Sequence, residues 1–200
     1  MLPMPLRDGT YVAVRPQSPE DRPLLANFFA ALSPLSRYQR FFTGMPPQLP
    51  KRMLDALSDV DGHRHVGIVA VRDDRILGAA RYLRRAESPS VADVAFTVAD
   101  ELHGRGLGGM LMRELQAHAR RRGVTRFVFE TLATNDASLT VAQSLGARLR
   151  RDGATVEGVI YIDSGADTPS RSSARAMVRR VATQRPSRND CKSEVSALST

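Results

Sequence analysis

Residues 104–109 hold four glycines in six positions, Gly104, Gly106, Gly108 and Gly109, between an alternating apolar run and an amphipathic stretch with helical spacing. Glycine lets the backbone come close to a ligand. The first turn of the following helix adds unpaired N–H groups at the positive end of its peptide dipoles. Together these form a cradle for phosphate oxygens. The chemistry depends on which phosphate-bearing ligand the cradle takes.

Companion residues weigh the rival ligands. A nucleotide P-loop needs Lys and then Ser or Thr directly after the glycines, and Gly109-Met110 supplies neither. A dinucleotide-binding fold is matched by Gly104-x-Gly106-x-x-Gly109, and Glu130 stands at the end of the next strand, where that fold places its ribose-binding acid. There, however, the first glycine follows its strand directly, whereas Ala99–His103 intervene here, and too little ordered chain follows Gly123 for further strand–helix units. Coenzyme A is the third ligand. A glycine-rich strand–helix turn with no ligand stays open as the plain alternative.

The elements that must position this turn can be read from periodicity. Tyr11–Pro16 predicts a strand, and Ser18-Pro19 opens a helix with Asp21 in a capping-box position and Leu24, Leu25, Phe28, Phe29 and Leu32 at helical spacing. Ser33-Pro34 starts a second helix and residues 49–57 form a third. Strands follow at His65–Val71 and Ile76–Leu83, joined by an Arg72–Arg75 hairpin turn. In the next strand, Val91–Val98, period-2 alternation puts Ala92, Val94, Phe96 and Val98 on one face and Asp93, Ala95 and Thr97 on the other. A helix at Leu107–Arg122 ends at Gly123, a strand runs over Arg126–Leu132, Asn135-Asp136 caps a further helix ending near Gly146, and Arg148–Ile162 closes with one or two strands.

Composition bounds the class. Two hundred residues with 42% hydrophobic content suit one domain with a real core. No apolar run reaches a membrane span, and no signal-peptide stretch opens the chain, so a cytoplasmic protein with no membrane partner is expected. The single cysteine, Cys191, excludes a disulfide framework and fits a reducing compartment. The net charge of +8 includes seven Lys/Arg against four Asp/Glu in residues 163–200, leaving 22 against 17 in residues 1–162. Without a zinc finger, zipper or RNA-binding signature, that spread reads as a solvated basic surface suited to an anionic cofactor, and a nucleic-acid partner is not expected. His63 and His65 lack further ligands at metal spacing, so no metal is expected. From Gly165 the chain turns to Ser, Arg, Thr and Pro, which predicts a disordered basic tail over 165–200; Ala174, Met177, Val178 and Val181 are its one candidate short amphipathic segment.

The order β-α-α-β-β-β-α-β-α-β from Tyr11 to Ile162, with His103-Gly104-Arg105-Gly106-Leu107-Gly108 at its centre, resembles the GNAT acyltransferases, whose motif A is Gln/Arg-x-x-Gly-x-Gly/Ala. Asn135, Ser138 and Gly146 are counterparts of that family's next helix. Leu6-Arg7-Asp8-Gly9-Thr10, Leu32-Ser33-Pro34, Ser36-Arg37-Tyr38, Arg40-Phe41-Phe42 and Ala92-Asp93-Val94-Ala95-Phe96 are similar to segments of bacterial protein lysine acetyltransferase domains within it. The resemblance implies a single α/β domain over residues 1–164, an α+β arrangement with a central mixed, mostly antiparallel sheet flanked by helices. It also implies an N-acetyltransferase that uses acetyl-CoA as co-substrate and moves an acyl group to a primary amine, on a protein lysine or a small molecule. A non-catalytic acyl-CoA sensor on the same fold stays open, as does the oligomeric state.

By the same resemblance Phe96, Thr97 and Val98 hold the pantetheine arm, with the Val98 N–H polarising the thioester carbonyl. His103, Gly104, Arg105, Gly106, Leu107, Gly108 and Gly109 bind the diphosphate, and Asn135 and Ser138 reach the cofactor from the neighbouring helix. Helix capping explains Asn135 equally well. Gly106 and Gly108 are expected to be hardest to replace, because a Cβ there would occupy ligand space. Asp93 is the implied general base, one methylene shorter than the Glu usual there, and Glu130 is the second candidate. The tyrosine that serves many members as general acid is replaced by Ala142, so the acid is unassigned. Residues 33–60 and 83–90 are expected to form the acceptor side.

Overall fold

The computed structural model describes residues 3–162; the expected tail over 165–200, with Cys191 and its amphipathic segment, lies outside the described residues. The chain forms β1 (Met4–Pro5), β2 (Tyr11–Pro16), α1 (Arg22–Ala31), α2 (Pro34–Phe41), α3 (Lys51–Ser58), β3 (His65–Arg72), β4 (Arg75–Arg85), β5 (Ser88–Val98), α4 (Leu107–Arg121), β6 (Arg126–Leu132), α5 (Asp136–Ser144), β7 (Arg148–Asp152) and β8 (Thr155–Tyr161). The strands make one sheet in the order β1-β2-β3-β4-β5-β6-β8-β7, antiparallel throughout except for the parallel pair β5–β6. This is a mixed, mostly antiparallel sheet with helices on both faces. None of the described helices is long and apolar enough to cross a membrane.

Local chemistry accounts for most boundaries. Asp73 and Asp74, at φ 50° and 57°, occupy both central positions of a type I′ turn, which suits the twist of the β3–β4 hairpin. Pro34 sits at the start of α2, and the Ser33 hydroxyl caps it by accepting from Ser36 N–H at 3.2 Å. The helix expected from Pro19 is first a single 3-10 turn over Pro19–Asp21. The Asp21 carboxylate accepts from Ser18 N–H at 2.9 Å and takes Arg15 in a bidentate pair at 2.6 and 2.7 Å, so it joins this turn to β2. Beyond the sequence reading, β1 pairs with β2 and closes a small N-terminal hairpin.

One face of the sheet carries α4 on β3, β4 and β5. Leu107, Leu111 and Leu115, spaced by four, are fully buried against Tyr82, Phe127 and Ile160. A methyl group on Gly78 would lie 2.9 Å from Leu111 Cδ1, so the missing side chain lets α4 rest on the backbone of β4. The opposite face is covered by α1 and α2, with α3 packed on α1, and it buries Leu25, Phe28, Phe29, Phe41, Met53 and Leu54. Each such Leu or Phe contributes roughly 1.5–3 kcal/mol. These two layers set β5 rigidly between them.

The parallel pair has a short register: Val91 with Arg126, Ala92 with Phe127 and Asp93 with Val128, and nothing beyond. Both strands continue past that point, β5 to Val98 and β6 to Leu132, so they part and leave a wedge. β6 is held on its other side by β8 over its full length.

Candidate functional site

Strand alternation decides which main-chain groups of β5 line the wedge. Ala99 N–H donates to the Leu77 carbonyl at 2.9 Å, on the β4 side. Successive residues of a strand turn their N–H and C=O groups to opposite neighbours. Phe96 and Val98 therefore aim theirs away from β4, into the wedge. The Val98 carbonyl is 3.0 Å from His103 Nε2, which closes that acceptor and leaves the Val98 N–H facing the opening. Thr97 turns its main chain to β4, opposite Ala79, and its side chain is buried. Of the three residues expected to hold the arm, Phe96 and Val98 are the two whose main chain faces the wedge.

The turn at the wide end of the wedge carries the clearest signal. The N–H groups of Gly104, Gly106, Leu107, Gly108 and Gly109 have no acceptor among the described residues; the first helical bond of α4 is Met110 N–H to Gly106 carbonyl at 3.1 Å. The first turn of any α-helix leaves its N–H groups without an intrahelical partner; here no side chain caps them, and Leu107, Gly108 and Gly109 are buried residues. Five donors converging at a helix start fit the oxygens of a diphosphate.

The glycines serve different needs. Gly106 precedes α4 with φ +89°, a conformation that side chains resist. A methyl group on Gly108 would lie 2.9 Å from Phe96 Cε2 and 3.5 Å from Val141 Cγ2. Packing of α4 on β5 and α5 therefore gives Gly108 a reason of its own, separate from ligand space. A methyl group on Gly106 would meet the side chain of Arg7 at 3.4–3.6 Å.

Side chains brace the turn from two directions. Arg7 N–H donates to the Arg105 carbonyl at 3.1 Å, and the Arg105 guanidinium is ion-paired to Asp8. Asp8 also accepts from the Thr10 hydroxyl and N–H at 2.8 and 3.0 Å; Thr10 first, and Arg105 after it, hold its carboxyl below the usual range. Asp100, between β5 and the turn, accepts from Ser33 N–H and Oγ at 2.8 Å and from Ser36 Oγ at 2.6 Å. Burial acts to raise the Asp100 pKa, yet these bonds hold it low, so a carboxylate ties the connector to the start of α2. Asn135 spends its Oδ1 on Ser138 N–H at 3.1 Å as the cap of α5, so capping is a role its side chain fills.

The two candidate carboxylates share the face opposite α4. Asp93 is opposite Val128 at the apex of the wedge, and Glu130 lies two residues further along β6 on the same side. Asp93 is engaged: Arg85 Nε donates to its Oδ2 at 2.9 Å and Arg85 Nη2 to its Oδ1 at 2.8 Å. Glu130 is exposed and has no ion pair among the described residues. A partly exposed pair such as Arg85–Asp93 is worth about 0–1 kcal/mol, too little to withhold Asp93 from a substrate. Val98 is five residues from Asp93, about 16 Å along a strand, too far for a proton to pass directly between them. Ala142 is buried. Tyr82 is fully buried in the core, Tyr161 lies under Arg148, and Tyr11 and Tyr38 are exposed.

The acceptor-side face also buries a cation. Arg81 donates to the Leu57 carbonyl at 2.7 Å and to Gln17 Oε1 at 3.2 Å, and burial, reinforced by the charge of Arg40, pushes its pKa down to about 9. It joins β4 to the end of α3. Among the described residues no group of His, Cys, Asp and Glu is arranged to hold a metal ion.

Comparison with known proteins places this geometry. Residues 32–147 match the model of the acetyltransferase (GNAT) family. The acetyltransferase PA5475 of Pseudomonas aeruginosa is 35% identical over 151 residues, covering 74% of this chain and 80% of that protein. Acetyltransferase Pat of Mycolicibacterium smegmatis is 33% identical over 150 residues, covering 73% of this chain but only 44% of its own length. The crystal structure of the GNAT domain of S. lividans PAT superposes with a TM-score of 0.75 at 30% identity, covering 80% of this chain and 96% of that one.

Proposed function

The chain belongs to the GNAT family of acetyltransferases and is an N-acyltransferase, and from that premise we propose that it transfers the acetyl group of acetyl-CoA to a primary amine, with the ε-amine of a protein lysine as the acceptor class. The observation that carries the reading is the set of five N–H groups at Gly104, Gly106, Leu107, Gly108 and Gly109 that have no acceptor among the described residues, placed at the mouth of the β5–β6 wedge. The lysine acceptor is supported by likeness to the Pat domains and by the segments shared with them. Because Pat is more than twice the length matched here, its activity as a whole protein is carried over only as part of this proposal. The cytoplasm is the compartment that fits a CoA-dependent reaction and a single cysteine.

When bound, acetyl-CoA supplies an activated thioester. The chain's own groups do the rest. The turn holds the diphosphate through its N–H groups. Phe96 and Val98 present main-chain groups to the arm, and the Val98 N–H is placed to stabilise negative charge developing on the acyl oxygen. Asp93, through water, takes a proton from the acceptor ammonium, because only the neutral amine attacks. Glu130 is the second carboxylate on that face. A thiolate with a pKa near 8.5 leaves without a dedicated acid, which suits a site whose usual tyrosine position is Ala142.

A second reading, a non-catalytic acyl-CoA sensor, is favoured by Ala142 at the usual tyrosine position. Calorimetric titration with CoA and acetyl-CoA, followed by a thiol-release assay over lysine peptides and small amines, separates the two. Binding with thiol release supports the transferase; binding without release for any amine leaves the sensor; no binding to folded protein contradicts both.

A further inference from the structure

Arg105, the cation within the glycine turn itself, is already neutralised. Asp8 pairs with it, and Thr10 fixes Asp8. With the Arg7 N–H to Arg105 carbonyl bond, the pair ties the N-terminal hairpin to the turn. That tether delivers a different cation. The Arg7 side chain lies over Gly106, with Nε 3.4 Å from where a methyl group on that glycine would be, and its guanidinium has no acceptor among the described residues. Further along the same turn, Arg113 Nη1 lies 3.3 Å from the corresponding position on Gly109, and it too has no acceptor among the described residues. Both side chains are exposed, which leaves them able to swing onto an arriving anion.

We infer that Arg7 and Arg113, rather than Arg105, supply the side-chain charge on the CoA diphosphate, with Arg105 and Asp8 acting as positioning residues for Arg7. The inference rests on the reading of the cradle as a CoA site and adds to it a contact from a hairpin almost a hundred residues away in sequence. Two guanidinium groups flanking five N–H donors match the two charges and four outer oxygens of a diphosphate, since charge-assisted bonds are the strong ones.

The test measures dissociation constants for CoA and for dephospho-CoA, which keeps the diphosphate but lacks the 3′-phosphate, on wild type, R7Q, R113Q and R105Q. Melting temperatures show that each variant is folded. The expected result is a loss of about tenfold for R7Q and for R113Q, the scale of one charge-assisted contact, equal for both ligands, and a smaller loss for R105Q. Wild-type binding with R7Q and R113Q unchanged overturns this assignment while leaving the CoA site standing, and so does a loss that disappears with dephospho-CoA. A folded wild-type protein that binds neither ligand overturns the CoA reading as well.

Discussion

The two ends of α4 obey the same chemistry and reach opposite outcomes. At its C-terminus the protein closes its own bonds: Arg122 N–H and Val124 N–H donate to the Ala119 carbonyl, Gly123 N–H donates to Arg120, and Arg84 Nη2 reaches the Arg122 carbonyl. At its N-terminus five N–H groups are left without an acceptor among the described residues, although Ser, Thr, Asp or Asn at the cap position would have satisfied some of them. Gly106 stands there instead. A helix end finished by the protein is structural. One left unfinished, with glycine at the cap position, is the feature on which the proposed CoA site rests.

The contrast can be sharpened by separating chemistry from binding. Asp93→Asn touches neither end of α4, and turnover should fall about 100-fold, the usual weight of a general base, while the CoA dissociation constant stays within twofold of wild type. Unchanged turnover moves the role to Glu130, for which Glu130→Gln is the matching variant. A matched glycine pair comes next, because Gly106 and Gly123 both have positive φ, 89° and 75°. Alanine at either should cost about 1–2 kcal/mol in denaturant titration, but only Gly106→Ala should also weaken CoA binding, by about tenfold or more. Equal CoA affinities would erase the distinction between the two ends.

A smaller effect is expected from Arg84→Ala. It frees the Arg122 carbonyl and should lower stability by about 1 kcal/mol, with CoA affinity untouched. The smallest effect is on pH dependence. His118, whose Nδ1 is buried without a partner among the described residues, is held below its ordinary value of 6.5 by burial and then by the charges of Arg122 and Arg121. The unfolded chain therefore takes up that proton more readily than the fold does. His118's contribution is complete above pH 6.5 and is lost as the pH falls below it. The melting temperature should drop between pH 7 and 5.5, and less so in His118→Gln; parallel curves would count against this cause.

Much of this was legible from residue order. The glycine turn, the alternation of β5, the Arg72–Arg75 hairpin and the helix over 107–121 each rest on local chemistry, which a sequence displays directly. What escaped was non-local. Nothing near Gly106 announces that Arg7 will fold over it, because that contact depends on a two-residue strand, one main-chain bond and the Arg105–Asp8 pair across the chain. The parting of β5 from β6 after Asp93 follows from packing on both faces, so the choice of Phe96 and Val98, instead of Thr97, as the residues facing the wedge required the register. The Arg85–Asp93 pair likewise depends on how β4 and β5 align. At Gly108 the ligand-space reason was readable from the motif, whereas the close approach of Phe96 was not.

The central claim is that the open end of α4 grips CoA through its main chain. A titration of amide-labelled protein with CoA, followed by two-dimensional 15N–1H NMR, tests it directly. The account predicts saturable shifts concentrated at Gly104, Gly106, Leu107, Gly108 and Gly109, with residues 119–124 at the closed end unmoved. Saturable binding that leaves those five amides in place, or a folded protein whose spectrum ignores CoA, would contradict it.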